Sequence, residues 1–187
     1  MSGADYTIRL SRDEDVPAIA AIYRHHVLHG VASFEEMPPD AAEIARRRGE
    51  IVGRGLPYLV AERAGRVIGY CYAGLFRPRV AYRFTVEDSV YVAADEIGRG
   101  LGRALLEQVI ARCSELGYRQ MVAVIGGRET LGSIRLHERL GFAPIGILPA
   151  VGFKFGRWID IILMQRELGP GSDSLPENVV PGTRPTA

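Results

Sequence analysis

The chain has 187 residues and a formal net charge of +1 at pH 7, with 23 basic and 22 acidic residues. This length predicts one compact domain with a substantial core, and the balanced charge excludes a strongly basic nucleic-acid-binding surface as a global property. No apolar run approaches the about 18 residues of a membrane span, and residues 1–5 do not resemble a secretory signal. We therefore expect a cytoplasmic protein, in which Cys71 and Cys113 are reduced core residues without metal-binding spacing.

The hydrophobic pattern predicts short strands that alternate with amphipathic helices. In the first half of the chain we expect a strand at 6–10, a helix capped by Asp13 or Asp15, a loop at 30–40, a helix at 41–52 and a hairpin of strands 58–62 and 67–73. In the second half we expect a strand at 84–92, a helix at 101–116, a buried strand at 121–125, a helix at 133–140 ended by Gly141, and a strand at 159–166. Residues 169–187 are rich in Pro, Gly and Ser and are expected to form a disordered tail. The folded domain is then residues 1–168.

A glycine-rich loop precedes the helix predicted at 101–116. Gly98, Gly100 and Gly102 lie where unpaired backbone amides meet the positive end of the helix dipole, so the loop predicts a phosphate site. A Walker loop would need Lys and Ser/Thr after its last glycine, but Arg103 follows, and the dinucleotide fingerprint lacks both its third glycine and a downstream acidic residue. The loop alone leaves open an acetyltransferase diphosphate loop and an ordinary glycine-rich turn.

Other sequence strings decide between these two. They are residues 85–92 (TVEDSVYV), 122–126 (VAVIG), 133–142 (SIRLHERLGF) and 151–160 (VGFKFGRWID), in this order around the glycine loop. With them, the chain from about Tyr6 to Leu168 resembles the GNAT acetyltransferase superfamily, and within it the phosphinothricin and methionine sulfoximine N-acetyltransferases. The resemblance implies a mixed α/β fold, with a central, mostly antiparallel twisted sheet that contains a splayed parallel strand pair and is flanked by helices. It also implies acetyl-CoA as cosubstrate, a small-molecule amine as substrate and a homodimer, with no metal, nucleic acid or membrane.

Two side chains match the catalytic positions of the family. Glu87 matches the general base, although on its own it would be interpreted as a solvent-facing strand carboxylate. His137 matches a helix position that serves the coenzyme sulfur, where it would stabilise the thiolate or relay a proton. A helix histidine bonded to backbone is an almost equal alternative. Asp88 points to the opposite face of the strand from Glu87, and we expect no catalytic role for it.

The resemblance also assigns the coenzyme contacts. Backbone groups of the strand would position the thioester, with the Val92 N–H for the carbonyl oxygen, and the loop would bind the diphosphate. The expected coenzyme residues are Val90, Tyr91, Val92, Gly98, Arg99, Gly100, Leu101, Gly102, Arg103, Thr130 and Ser133. Two positions depart from the family pattern: Ile97 replaces Gln or Arg, and Thr130 stands near the usual Asn. Ser133 would alternatively cap its helix.

The substrate side is assigned by resemblance as well. The expected substrate residues are Phe34, Arg83, Phe84, Thr85, Lys154 and Trp158. Arg83 and Lys154 would pair with substrate anions, while core packing is an equal alternative for Phe34 and Phe84. His25, His26 and His29 include an i, i+4 pair as in some zinc sites, but without further ligands nearby we interpret them as a helix end.

The expected function is therefore direct transfer of acetyl from acetyl-CoA to the amine of a small amino-acid-like compound such as phosphinothricin or methionine sulfoximine. Two alternatives stay open. The amine would instead belong to a polyamine, an antibiotic or a protein N-terminus, or the chain would bind acyl-CoA without catalysis. The presence of both Glu87 and His137 argues against the second alternative.

Overall fold

A computed structural model of the chain describes residues 5–176. Its strands are β1 (Thr7–Leu10), β2 (Tyr58–Arg63), β3 (Arg66–Leu75), β4 (Thr85–Val92), β5 (Gln120–Gly126), β6 (Ala143–Lys154) and β7 (Arg157–Glu167), and its helices are α1 (Val16–His29), α2 (Ala41–Gly53), α3 (Leu101–Glu115) and α4 (Leu131–Arg139). The strands form one sheet in the order β1-β2-β3-β4-β5-β7-β6.

The sheet is antiparallel except for the neighbours β4 and β5. These two strands pair in parallel through three residues of β4, from Thr85 opposite Gln120 to Glu87 opposite Val122, and then separate. The helices flank this sheet, which confirms the predicted fold class with its splayed parallel pair.

Two apolar clusters lie on opposite faces of the sheet. Leu59 belongs to the cluster that contains α3, whereas the next residue, Val60, belongs to the cluster that contains α1. Successive strand residues point to opposite faces, so this division places α3 on one face and α1 on the other. Leu105 and Leu106 of α3 are fully buried in the first cluster, as the predicted helical stripe required.

Strand β6 was not predicted from the sequence. It contains Pro144, Gly146, Pro149 and Gly152, which are unfavourable inside strands, and its pairing with β7 shifts register twice. β6 forms at the sheet edge, where a proline need not donate to a second neighbour. Its order therefore comes from pairing with β7 and not from local propensity.

Two predicted helix caps differ from the structure. Asp15 immediately precedes α1, but its carboxylate accepts hydrogen bonds from the Arg9 side chain and the Arg12 backbone N–H, and it makes no cap bond to the helix. Helix α4 begins at Leu131, so Ser133 lies inside its first turn and Thr130 occupies the cap position. The predicted cap role of Ser133 is therefore wrong.

Part of the expected tail folds back on the domain. Residues 169–176 form turns and bends in which Ser172 bonds to Glu167 and Arg119 bonds to the Gly171 carbonyl and to Ser174. The rest of the expected tail, residues 177–187, lies outside the described residues.

Candidate functional site

The separation of β4 from β5 creates the candidate site. Glu87 is the last residue of β4 that pairs with β5, so residues 88–92 have a free backbone edge on that side. A cavity of about 920 Å³ occupies the resulting fork. Its wall combines β4, the glycine loop, β5 and α4.

The glycine loop closes one end of this cavity. Gly98 and Gly100 adopt φ angles of 84° and 81°, in the left-handed region that favours glycine. Gly100 is the cap residue of α3, and no side chain among the described residues caps this helix. The first amides of α3 therefore face the cavity with their partial positive charge available to an anion.

The backbone of Val92 points into the fork. Ala93 N–H donates to the Ile68 carbonyl of β3 at 2.9 Å, so strand alternation directs the backbone groups of Val92 to the opposite edge. Nε2 of His26 lies 2.8 Å from the Val92 carbonyl oxygen. Burial lowers the pKa of His26 more than this hydrogen bond raises it, so a neutral imidazole donates from Nε2. His26 thereby fixes Val92 and leaves the Val92 N–H directed at the cavity.

Glu87 lies in the cavity wall at the point where the strands part. Burial, and after it the neighbouring charge of Asp88, raise the pKa of this carboxyl to about 6, while Arg77 opposes both. A carboxylate with such a pKa is mostly ionised near neutral pH and is still basic enough to accept a proton. This arrangement is typical of a general base.

His137 and Asp88 form a buried pair beside Glu87. Nε2 of His137 lies 3.1 Å from Oδ2 of Asp88, and Nδ1 lies 2.7 Å from the Ser133 carbonyl oxygen. Burial alone would lower the pKa of His137, but the bond to Asp88, the charge of Asp88 and the bond to Ser133 together raise it. Both ring nitrogens thus have protein partners, which agrees with the backbone-bonded alternative for this histidine.

The structure brings most of the predicted coenzyme residues together. All of them except Arg99 line the cavity. The guanidinium of Arg99 lies 3.3 Å from the carboxylate of Glu96, which does line the cavity. Thr130 donates from its hydroxyl to the Gly126 carbonyl at 2.6 Å, so in this structure it holds the start of α4 against β5.

Of the predicted substrate residues, only Phe34 lines the cavity among the described residues. Its ring occupies space above two glycines: a Cβ at Gly152 would overlap Phe34 Cε2, and one at Gly126 would overlap the Val31 carbonyl oxygen and lie 2.9 Å from Phe34 Cε1. These glycines therefore admit the aromatic ring at this wall. The Phe34 ring is partly exposed and available to a ligand.

Lys154 does not match its expected role. Its side chain is buried, and Nζ donates to the carbonyl oxygens of Gly30 and Ser33 at 2.9 and 2.7 Å. The ammonium therefore fastens the loop that carries Phe34, and this function replaces the expected pairing with a substrate anion.

The other predicted substrate residues lie away from the cavity wall. Arg83 is exposed and its guanidinium covers the Phe84 ring at 4.8 Å, while Thr85 pairs with Gln120 at the start of the parallel segment. Trp158 is exposed at the β6–β7 hairpin and contacts Phe153. None of these residues lines the cavity, although Thr85 lies only two residues before Glu87 on β4.

Two arginines and a histidine are among the cavity residues that were not assigned to the site from the sequence. Arg135 and Arg139 lie one turn apart on α4 and add positive charge to the wall. Their i, i+4 spacing was a usable signal for a common helix face. His26 was interpreted only as part of a helix end, and its bond to Val92 depends on how α1 packs.

Residues 5–176 show neither a cluster of metal ligands nor a membrane-spanning helix. No group of three or more His, Cys, Asp and Glu side chains is placed to hold a metal ion within that range. None of the helices described there is long and apolar enough to cross a membrane. Cys71 and Cys113 are buried free thiols, which confirms their predicted state.

Comparison with known proteins places this geometry in context. The profile of the family described as "Acetyltransferase (GNAT) domain" matches residues 8–163. A phosphinothricin N-acetyltransferase of Alcaligenes faecalis is 56% identical over 171 residues, which cover 91% of this chain and 87% of the relative. An L-methionine sulfoximine/L-methionine sulfone acetyltransferase of Pseudomonas paraeruginosa is 43% identical over 165 residues, which cover 88% of this chain and 95% of that protein.

Solved structures show the same similarity. The crystal structure of a GNAT superfamily phosphinothricin acetyltransferase from Sinorhizobium meliloti, in complex with acetyl-CoA, superimposes with a TM-score of 0.92 at 49% identity, covering 96% of this chain and 98% of that one. A putative acetyltransferase from Salmonella typhimurium, with its cofactor acetyl-CoA, gives a TM-score of 0.89 at 38% identity, covering 94% and 99%.

Proposed function

This chain belongs to the GNAT family and is an N-acetyltransferase, and on that premise we propose that it transfers acetyl from acetyl-CoA directly to the amine of a small amino-acid-like substrate. Phosphinothricin and methionine sulfoximine are the proposed model substrates, because two relatives carry these compounds in their names. The observation that carries the proposal is the position of Glu87 at the fork, facing a cavity whose other end is the uncapped glycine loop.

The cavity fits the proposed cosubstrate. The amides at the start of α3, next to Gly98 and Gly100, suit a diphosphate, and Arg103 adds a cation to the same wall. The free edge of β4 at residues 88–92 suits the amide groups of a pantetheine arm, which would add to it as an extended segment. Two solved relatives in complex with acetyl-CoA support this assignment.

The chemistry divides between a side chain and the backbone. Glu87 accepts a proton from the substrate ammonium, and the resulting amine attacks the thioester carbonyl carbon. The Val92 N–H, directed into the fork and held in place by His26, donates to the carbonyl oxygen as negative charge develops there. Phe34 forms an apolar wall for the substrate side chain.

A substrate panel tests the proposal. Purified protein with saturating acetyl-CoA is expected to release CoA with phosphinothricin or methionine sulfoximine. Glu87→Gln is expected to lose about 10²- to 10⁴-fold in rate, the usual contribution of a general base. The matched control is Glu115→Gln, an exposed residue at the far end of α3 from the glycine loop. Absence of CoA release with any such amine, in folded protein that binds acetyl-CoA, would defeat the substrate assignment.

The same panel separates the alternatives. Release of CoA with a polyamine, an antibiotic or an N-terminal peptide, but not with the amino-acid analogues, would favour another acetyltransferase specificity. Binding of acetyl-CoA by calorimetry without turnover on any amine would favour a non-catalytic module.

We also propose that the chain forms a homodimer through β6. This strand lies at the sheet edge and exposes the apolar side chains of Ile145, Ile147, Leu148, Val151 and Phe153. Exposed apolar edge strands favour pairing with another chain. Sedimentation equilibrium is expected to give a dimer, and Ile147→Asp is expected to shift it toward monomer. A wild-type monomer at all concentrations would refute this.

The proposed compartment is the cytoplasm. Two buried free thiols, Cys71 and Cys113, suit a reducing environment. Cell fractionation with an antibody to the chain tests this assignment.

A further inference from the structure

Asp88 follows Glu87 in the chain, and both Asp88 and His137 are buried at the fork whose cavity Glu87 also lines. The side chains of His137 and Asp88 are 3% and 2% exposed. Asp88 follows Glu87 on β4 and points to the opposite face, where α4 brings His137 against it. A charged residue this well buried needs a compensating partner, because removing it from water is costly.

The hydrogen bonds of His137 fix the number of protons in the pair. The Ser133 carbonyl oxygen can only accept, so Nδ1 of His137 carries a proton toward it. Nε2 faces a carboxylate oxygen, so a second proton lies between Nε2 and Oδ2 of Asp88. Because the surroundings raise the pKa of His137, we assign the pair as an imidazolium and a carboxylate.

His137 provides the main compensation for the charge of Asp88. Oδ1 of Asp88 has no hydrogen-bond partner in the part of the chain that is described. Cys71 of β3 and Cys113 of α3 also face this carboxylate, but burial raises the pKa of both thiols, so they stay neutral. The remaining negative field of Asp88 reaches Glu87, which has Arg77 as its opposing charge.

We propose that Asp88 is a positioning residue of the transfer reaction, which holds His137 as an imidazolium at the fork. The two opposite charges of this pair, which lie at different distances from Glu87, together set the pH at which Glu87 ionises. The inference rests on the proposed role of Glu87 as general base. It gives Asp88 a function through its neighbours, without contact with substrate.

Two substitutions are expected to act in opposite directions. Asp88→Asn removes the negative charge but keeps the shape, and its amide can donate to Nε2 of a neutral His137. The variant thereby loses both the negative charge next to Glu87 in the chain and the more distant positive charge of His137, so Glu87 should ionise at slightly lower pH. His137→Gln removes the compensating cation and leaves Asp88 uncompensated, so Glu87 should ionise at higher pH.

The experiment follows the Glu87 carboxyl directly. Carbon-13 NMR of protein labelled in glutamate side chains, with the resonance assigned by its loss in Glu87→Gln, gives the titration midpoint without any substrate. Asp88→Asn is expected to lower the midpoint by roughly a few tenths of a pH unit, less than Coulomb's law gives for the loss of one charge about 10 Å away in a partly screened site, because His137 loses its positive charge in the same variant. His137→Gln is expected to raise it, and Glu115→Gln is expected to leave it unchanged. The acid limb of kcat/KM should shift in the same order.

An identical midpoint in wild type and Asp88→Asn would overturn the proposal, because a purely structural pair changes the melting temperature without moving the ionisation of Glu87. If His137→Gln fails to fold, the Asp88→Asn result decides alone. If the midpoints move as expected but no amine is acetylated, the control of Glu87 ionisation stands and the proposed function fails.

Discussion

The rate of acetyl transfer should depend on pH through Glu87. Because burial and Asp88 raise the pKa of this carboxyl from 4.5 to about 6, the ionised fraction is about 90% at pH 7 and about 10% at pH 5. We therefore expect kcat/KM to fall about tenfold between these two pH values. A carboxyl with its ordinary pKa would still be about three-quarters ionised at pH 5, and the rate would fall only by about a quarter.

The assay measures CoA release from saturating acetyl-CoA across pH 5–9, with a thiol reagent that reacts at acidic pH. The amine of the substrate also titrates, and Glu87→Gln separates the two effects, because this variant keeps the substrate ionisation but lacks the carboxyl. Arg77→Gln provides a second check. Arg77 lowers the pKa of Glu87, so its removal should move the acid limb to higher pH.

Two results would refute this reasoning. One is an acid limb near pH 6 that persists in Glu87→Gln, since it would belong to another group. The other is a wild-type rate that is unchanged between pH 7 and pH 5, which would mean that the carboxyl at the fork is as solvated as an ordinary surface glutamate.

Three further variants test the packing around the site. Gly152→Ala places a Cβ against Phe34, so we expect a loss of about 1–3 kcal/mol in the free energy of unfolding and a higher KM for the amine, measured by urea titration and by kinetics. Lys154→Met leaves two buried carbonyls of the Phe34 loop without a donor, and we expect a loss of about 1–3 kcal/mol per unpaired group and faster proteolysis of that loop. Asp40→Ala removes the cap bond to the Glu43 N–H on the distant helix α2, so unfolding should become easier by about 1 kcal/mol with kcat/KM unchanged. Equal stability of all three variants and wild type would contradict these packing assignments.

The glycine loop could be predicted from the sequence because its requirements are local. A helix start that lacks a capping side chain, preceded by residues at positive φ, needs glycine at particular positions. Gly98 and Gly100 satisfy this condition, and most of the coenzyme residues follow from the loop and strand β4 beside it. The helices and buried strands were likewise predictable, because their burial patterns repeat with the period of the element.

Features that depend on contacts between distant segments could not be predicted. The link between Asp88 and His137 joins residues 49 positions apart, and the bond from His26 to Val92 spans 66 positions. Lys154 lies in the 151–160 string on which the family resemblance rests. Its place in that string does not determine whether its ammonium faces a ligand or the 30–33 loop, because this depends on how β6 packs. Sequence spacing contains no signal for these distances.

The burial of Lys154 has a chemical consequence for a protein that handles an activated acyl group. This residue is the sole lysine of the chain, and every other basic side chain apart from the histidines is an arginine. Guanidinium groups stay protonated at neutral pH and are poor nucleophiles, whereas an exposed lysine amine would compete with substrate for the thioester. In the folded protein, amine-directed reagents should consequently leave Lys154 unmodified, and unfolding should make it reactive.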